Sequence, residues 1–433
     1  MSLKATYHTL GCKLNFSETA TIASMLRQKG IDTAGKGEIP DLCVVNTCSV
    51  TGNADKKGRQ LIRHLHSLYP QAGIIVTGCY AQLKPQEVAQ LPGVELVLGS
   101  NEKLKISQYI DSWLQNRGKI VDVTPTLSIN EFVPSCERGD RTRYFLKVQD
   151  GCDYYCTYCT IPYARGRSRS GEISSLVELA RDVAQKGGKE IVITGVNVGT
   201  FGKDHGEDFL SLLKELDKVE GIERYRISSI EPNLLTDEIL HWISSESRAF
   251  MPHFHIPLQS GSDKVLKLMA RRYDTRLFLS RITEIRELIP DAYIGVDIIG
   301  GARGETKEEW QRSFEFAKAL DVSKFHAFPY SEREGTAALK LGEPVAQPER
   351  YRRVAELNKL SDEKNRKFID ANLGKVRKVL WEKTSGANLM LGLTDNYIRV
   401  EAEFKPELIN EVSEVKIISI KEGATDAAVA EHI

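Results

Sequence analysis

The chain has no surplus of either charge. Its 433 residues carry 59 lysines and arginines against 59 aspartates and glutamates. No global field therefore draws it to DNA, RNA or a membrane surface, and any RNA contact must come from a local patch. No apolar run approaches the roughly 18–20 residues of a membrane span, so neither a membrane nor DNA is expected as a partner. The opening MSLKATYHTLGCKLN lacks the apolar core of a secretory signal. Internal repeats and low-complexity tracts are also missing. Histidine is scarce, nine in all, and His64, His66 and His205 all lie far from the densest cysteine cluster. The eight cysteines do not have the density of a short secreted disulfide scaffold. A cytoplasmic protein that uses thiolates as metal ligands is the expectation.

Six of those cysteines fall into two sets of three. Cys152, Cys156 and Cys159 form one compact Cys-x-x-x-Cys-x-x-Cys motif inside DGCDYYCTYCTIPYARG. Cys12, Cys48 and Cys79 are scattered singly along the first 80 residues. A full set of four thiolates closes an iron–sulfur cluster and suits electron transfer. Three thiolates leave one iron open to a small molecule. Two open four-iron clusters are thus one reading of the pattern. A zinc knuckle, with a histidine or a distant cysteine as fourth ligand, is the other.

The hydrophobic rhythm predicts an α/β protein with three parts. Residues 1–125 alternate short apolar runs (6–10, 42–46, 74–77, 96–98) with helical stretches, which predicts an open parallel sheet covered on both faces. Each scattered cysteine follows a strand, and such positions converge outside the carboxyl ends of a parallel sheet. Gly11 and Gly78 precede two of them and permit a tight turn. Residues 126–140 read as a polar linker, with Cys136 at its surface and no role for that thiol. Residues 141–371 carry six strand–helix units, which predicts a partial (βα)6 barrel with its site at the strand carboxyl ends. Residues 372–433 have short alternating runs and predict a small all-β module. Cys43, inside LCVVN, reads as a small buried hydrophobe. His253 and His255 share one strand face and read as ordinary core or rim histidines.

The compact motif after the first barrel strand resembles the radical S-adenosylmethionine (SAM) superfamily. The wider strings CTYCTIPYARGRSRS, VNTCSVT, TGCYAQ and HIPLQSGSDKVLKLMARRY are similar to those of its methylthiotransferases, in order, across essentially the whole chain. This resemblance implies a TRAM-like module at the carboxyl end. It also implies roles. Cys152, Cys156 and Cys159 would hold the cluster that cleaves SAM to a 5′-deoxyadenosyl radical. Cys12, Cys48 and Cys79 would hold an auxiliary cluster that carries sulfur. The expected cofactors are therefore two 4Fe-4S clusters and SAM, with a donor such as flavodoxin or ferredoxin for electrons.

Tyr158 would pack near the adenine of SAM. Gly195, Asn197, Ser228, Glu231 and Gln259, at strand ends, would meet its other groups. Arg165, Arg167 and Arg169 alternate in ARGRSRS and suit a phosphate or carboxylate of the substrate. Arg303 adds a cation in GGARGET, where the family commonly reads GFPGET. In the module, Lys375, Arg377, Lys378 and Lys383 cluster on the first strand and could position RNA by its phosphates. The first cysteine motif, GCKLN, resembles the branch acting on N6-threonylcarbamoyladenosine in tRNA, next to the anticodon. Action on N6-isopentenyladenosine or on a ribosomal-protein aspartate is the alternative. An electron-transfer protein or a zinc-bearing RNA-binding protein are the readings from other classes.

Overall fold

The computed structural model describes residues 3–116, 118–139, 141–382 and 388–433. Lys383 lies outside the described residues.

The amino-terminal part is built on β1 (Lys4–Thr9), β2 (Asp32–Thr33), β3 (Leu42–Thr47), β4 (Gly73–Gly78), β5 (Val94–Leu98) and β6 (Ile120–Asp122). They form one sheet in the order β2-β1-β3-β4-β5-β6, every pairing parallel. Parallel strands covered on both faces should be apolar throughout. β3 and β4 are buried at every residue. Leu42 and Val44 pack with Ile22, Leu26 and Trp113 on one face. Cys43 and Val45 pack with Ile62 and Leu65 on the other. Cys43 is thus the buried hydrophobe its apolar run predicts.

The middle part contains β7 (Ser135–Glu137), β8 (Tyr144–Lys147), β9 (Gln149–Asp150), β10 (Arg169–Ser170), β11 (Glu190–Thr194), β12 (Arg224–Ile227), β13 (His253–Gln259), β14 (Tyr293–Gly300) and β15 (Lys324–Pro329). β8, β11 and β12 pair in parallel, as do β13, β14 and β15. A single bridge, Tyr225 to Phe250, and the bond from Ile230 N–H to the His255 carbonyl (3.0 Å) join the two halves. The six strands curve into an open barrel with helices outside. Leu146, Ile193, Tyr225, Phe254, Val296 and Phe325 point outward to those helices and form the main core. The alternate residues point into the lumen, and many are charged.

The stretch read as a linker is corrected in one respect. β7 pairs antiparallel with β8, so 135–137 is an edge strand of the barrel. Cys136 is buried there rather than exposed, and burial pushes its thiol well up. A three-residue strand among prolines and serines is too short to show a period.

The carboxyl-terminal part is a closed barrel of β16 (Val376–Glu382), β17 (Leu389–Thr394), β18 (Arg399–Glu403), β19 (Val412–Ile420) and β20 (Ala427–His432), in the order β16-β17-β18-β20-β19. Val379, Trp381, Met390, Val400, Val415 and Ile417 fill it. Its turn between β17 and β18 closes the amino-terminal end of the large barrel. Arg224 and Arg226 donate to the Thr394 carbonyl at 2.8 and 2.7 Å, and Arg226 also donates to the Asp395 carbonyl at 2.8 Å. The Tyr397 ring sits 4.2 Å from that of His253. Lys375 and Arg377 pair with Asp291 at 2.8 and 2.6 Å, which ties the module to the barrel, while Lys375 and Lys378 stay exposed.

Candidate iron–sulfur site

The scattered cysteines follow three neighbouring strands. Cys12, Cys48 and Cys79 stand just past β1, β3 and β4, which are adjacent in the sheet. Strands about 4.8 Å apart bring such positions to one edge. Two asparagines then lash the strand ends. The Asn15 amide donates to the carbonyls of Leu10 (2.9 Å) and Thr47 (3.0 Å). The Asn46 amide donates to the Asn15 carbonyl at 2.9 Å. Gly78, with φ +93°, is required, because a Cβ there would fall 2.3 Å from the Thr47 carbonyl oxygen. Cys12 is exposed, Cys48 half-buried and Cys79 buried. Burial and the Cys79 thiol push Cys48 up to about 12, and burial pushes Cys79 upward. Both sulfurs become thiolates once a metal ion binds.

The compact cysteines sit on one loop after β9. Gly151, φ +71°, starts it where a Cβ would clash with the Arg167 carbonyl at 1.9 Å. Thr157 pins its middle, donating from N–H to the Met269 carbonyl (3.1 Å) and from its hydroxyl to the Leu268 carbonyl (2.8 Å). Each sulfur accepts from a donor. Tyr154 N–H reaches Cys152 at 3.5 Å, Ile161 N–H reaches Cys159 at 3.4 Å, and the Arg271 guanidinium reaches Cys156 at 3.2 Å. Donors aimed at sulfur are what an anionic cluster thiolate needs. Burial pushes Cys159 up to about 12 and raises Cys152 and Cys156. Among the described residues no three His, Cys, Asp or Glu side chains close around a single ion.

The two triads adjoin. The Thr160 hydroxyl, next to Cys159, donates to the carbonyl of Ser49, next to Cys48, at 3.2 Å. Ser100 donates to the Ala164 carbonyl at 2.8 Å, and Arg333 reaches Ser49 and Asp55 at 2.8 and 2.7 Å. Beneath these contacts lies a buried ion cluster. Glu18 meets Lys103 (2.7 Å), Arg165 (2.9 Å) and Lys147 (3.4 Å). Asp150 meets Lys147 (2.8 Å), Arg165 (3.0 Å) and Arg169 (3.4 Å). Burial alone would raise the Glu18 carboxyl. Arg165, Lys103 and Lys147 overcome it and hold the group well below the ordinary carboxylate range.

This cluster corrects the reading of Arg165 and Arg169 as substrate ligands. Arg165 is 1% exposed, with its guanidinium shared among Glu18, Asp150 and Asn15. Arg169 is buried and donates to the carbonyls of Glu131, Arg165 and Arg167 at 2.9, 2.7 and 3.1 Å. Arg303 is held by Glu332 at 2.8 Å and by the Leu341 and Gly342 carbonyls. Of the four, only Arg167 is exposed.

The strand-end residues gather around the compact triad. Asn197 is buried, its amide nitrogen 3.9 Å from the Cys152 sulfur. Its Oδ1 and the Ser228 hydroxyl are buried without a protein partner, as a polar ligand such as SAM requires. Gly195 allows Gln149 to approach, whose Oε1 accepts from Val196 and Asn197 N–H at 2.9 and 2.8 Å. Glu231 pairs with Arg271. Gln259, φ +66°, follows a break in the register between β13 and β14, and such a bulge re-aims its side chain. Tyr158 packs with Val265, Met269, Ala302 and Tyr330 beneath the loop. Arg271, Asn15 and Gln149 were not singled out from sequence. Arg271 stands in the quoted MARRY string, but nothing in the string shows that it reaches a sulfur.

Residues 4–99 match the Uncharacterized protein family UPF0004, and residues 146–317 match the Radical SAM superfamily. The threonylcarbamoyladenosine tRNA methylthiotransferase MtaB of Bacillus subtilis (strain 168) is 37% identical over 422 residues, 95% of this chain and 93% of that protein. The MtaB of Thermotoga maritima is 37% identical over 415 residues, 96% of this chain and 94% of that one. A tRNA-2-methylthio-N(6)-dimethylallyladenosine synthase of Clostridium tetani is 32% identical over 421 residues, covering 94% and 92%. Among solved structures, the radical SAM methyltransferase TsrM from Kitasatospora setae superposes with a TM-score of 0.53 at 16% identity, over 76% of this chain and 75% of that one. That likeness speaks to fold alone. The relatives over nearly the full length, with both domains in order, place this chain in the radical SAM methylthiotransferase family, in its MtaB type.

Proposed function

We propose that the protein transfers a methylthio group to C2 of N6-threonylcarbamoyladenosine at position 37 of tRNA. The observation that carries this is the direct bond between the loops of the two triads, Thr160 to Ser49, which sets the two sites side by side. The relatives named for this reaction supply the substrate. When bound, a 4Fe-4S cluster on Cys152, Cys156 and Cys159 supplies the electron that cleaves SAM, and a second on Cys12, Cys48 and Cys79 supplies an iron for sulfur.

The chain's own residues do the rest. Arg271 holds Cys156 and Glu231 in one network, fixing the wall where SAM would lie. Asn197 and Ser228 offer it their unpartnered polar atoms. The Glu18–Arg165–Asp150 cluster fixes the spacing of the two triads. The proposal extends to the cytoplasm as the compartment and to a flavodoxin- or ferredoxin-type electron donor. No helix among the described residues is long and apolar enough to cross a membrane.

Anaerobic reconstitution tests this reading. About eight irons per chain are expected from two four-iron clusters. With SAM, reductant and tRNA bearing threonylcarbamoyladenosine, mass spectrometry should find the 2-methylthio nucleoside. Product only on isopentenyladenosine, or none on tRNA, would overturn it.

A further inference from the structure

We propose that Phe328 and Asp297 seat the target adenine, Phe328 against its face and Asp297 on its N6–H, an inference that rests on the substrate reading above. Both stand on the lumen side of the half-barrel β13–β15. Phe325 points outward into the core, so alternation along β15 turns His326 and Phe328 inward. Val296 and Ile298 likewise point outward and leave Asp297 inward. Across the β14–β15 register, Asp297 lies opposite His326, and Ile299 opposite Phe328.

The contacts of neighbouring residues place this pair at the triad end of the barrel. Three residues beyond Phe328, the Ser331 hydroxyl accepts from Gly52 N–H at 3.0 Å, and Gly52 is four residues past Cys48. Tyr330 packs with Tyr158, next to Cys159. Asp297 is level with Pro257. The Tyr273 hydroxyl donates to the Pro257 carbonyl at 2.5 Å and accepts from Arg271 at 3.1 Å, the arginine that reaches Cys156.

The pair is open on one side and braced on the other. The Phe328 side chain is 49% exposed. His255 and Asp297 are each 23% exposed, and the His255 Nε2 lies 2.8 Å from the Asp297 Oδ1. Among the described residues that carboxylate has no other hydrogen-bond or ion-pair partner, so its second oxygen is free to accept. His326 stacks on His255 with ring centroids 5.0 Å apart. With Arg143 and Tyr397 it also lines the cavity at the closed end, and so makes the floor. The half-barrel β8–β11–β12 carries the unpartnered atoms of Asn197 and Ser228 that suit SAM. The lumen thus divides into a cofactor wall and a substrate wall.

The chemistry of these two side chains fits adenine. An exposed aromatic ring covers the face of a base. An ionised carboxylate can only accept. Adenine offers it a donor at N6, whereas inosine or guanine has an oxygen there and would oppose two acceptors. Threonylcarbamoyladenosine and isopentenyladenosine both keep one N6–H, so this pair reads the adenine and not its tail. Holding the face and one edge fixes where C2 lies, as transfer to a single ring carbon requires.

Four anticodon stem-loops that differ only at position 37 test the proposal. They carry threonylcarbamoyladenosine, adenosine, inosine or an abasic site, and are bound to the reconstituted enzyme with SAM. The wild type should bind the adenosine form about tenfold more tightly than the inosine or abasic form. Phe328→Ala should lose most of the gain of adenosine over the abasic site, and Phe328→Trp should keep it. Asp297→Asn should lose the preference for adenosine over inosine, since an amide can donate to the inosine oxygen. Wild-type binding that ignores the base at position 37 overturns the proposal without any variant. Full preference in Phe328→Ala and Asp297→Asn overturns it, as does equal weakening of all four stem-loops, the mark of a structural role. Methylthiolation of the threonylcarbamoyladenosine stem-loop by the wild type is followed in parallel. Its absence would sink the substrate reading, whereas turnover without these preferences would sink only the adenine seat.

Discussion

The two cysteine triads reach neighbouring loops by opposite routes. The compact triad is local: one loop between Gly151 and Thr160 carries all three sulfurs, and backbone N–H groups plus one guanidinium serve them. The scattered triad is assembled by the fold: three strand ends from three parts of the chain, tied by Asn15 and Asn46. Local sites survive damage at a distance. Assembled sites depend on every element that positions them. The two triads should therefore fail under different insults.

The largest contrast comes from the ligands. Cys156→Ala should abolish SAM cleavage, with no deoxyadenosine detected by chromatography. Cys48→Ala should retain SAM cleavage yet form no methylthio product, and should keep about four irons where the intact chain holds about eight. Loss of SAM cleavage in both variants would erase the distinction.

The seam between the triads comes next. Glu18→Ala leaves Arg165, Lys103 and Lys147 without their shared carboxylate. Removing one partner of a buried pair costs about 3–5 kcal/mol, which denaturant titration would read as a lower midpoint. The opposite end of the barrel offers a control. Burial would raise the Glu190 carboxyl, but Arg226, Arg224 and Arg143 hold it down to about 2. A depressed folded value means the stabilisation is complete above the unfolded carboxylate range and is lost as pH falls through about 2. Between about pH 4.5 and 2 the loss from this group alone is on the order of 3 kcal/mol. Glu190→Gln should flatten that acid limb of the stability curve, and the irons of both triads should be retained at neutral pH.

The smallest effect on stability, and the most selective, belongs to Gly78→Ala. Forcing a side chain into φ +93° against the Thr47 carbonyl should cost about 1–3 kcal/mol. Iron should be lost from the scattered triad first, leaving SAM cleavage nearly intact.

The sequence reveals the local site better than the assembled surroundings. Cys152, Cys156 and Cys159 are legible from spacing alone. Cys12, Cys48 and Cys79 become legible once each is placed after a strand, because parallel strands share an edge. Arg165 and Arg169 of ARGRSRS mislead: their alternation looks solvent-facing, but Gly166 turns the chain at φ +80° and sends Arg165 into the seam. Charge in a linear sequence does not reveal which carboxylates will be buried beside it. The strand at Cys136 is hidden by its three-residue length. Arg377 misleads for the same reason as Arg165, since its partner Asp291 is 86 residues away.

The central claim is that two triads with separate roles act together on one tRNA nucleoside. The most direct measurement is mass spectrometry of tRNA nucleosides from cells lacking the gene, restored with wild type, Cys48→Ala or Cys156→Ala. The account predicts that 2-methylthio-threonylcarbamoyladenosine disappears, its unmethylthiolated precursor accumulates, and only the wild type restores the product. Persistence of the 2-methylthio form in the deletion strain, or its restoration by either variant, would contradict it.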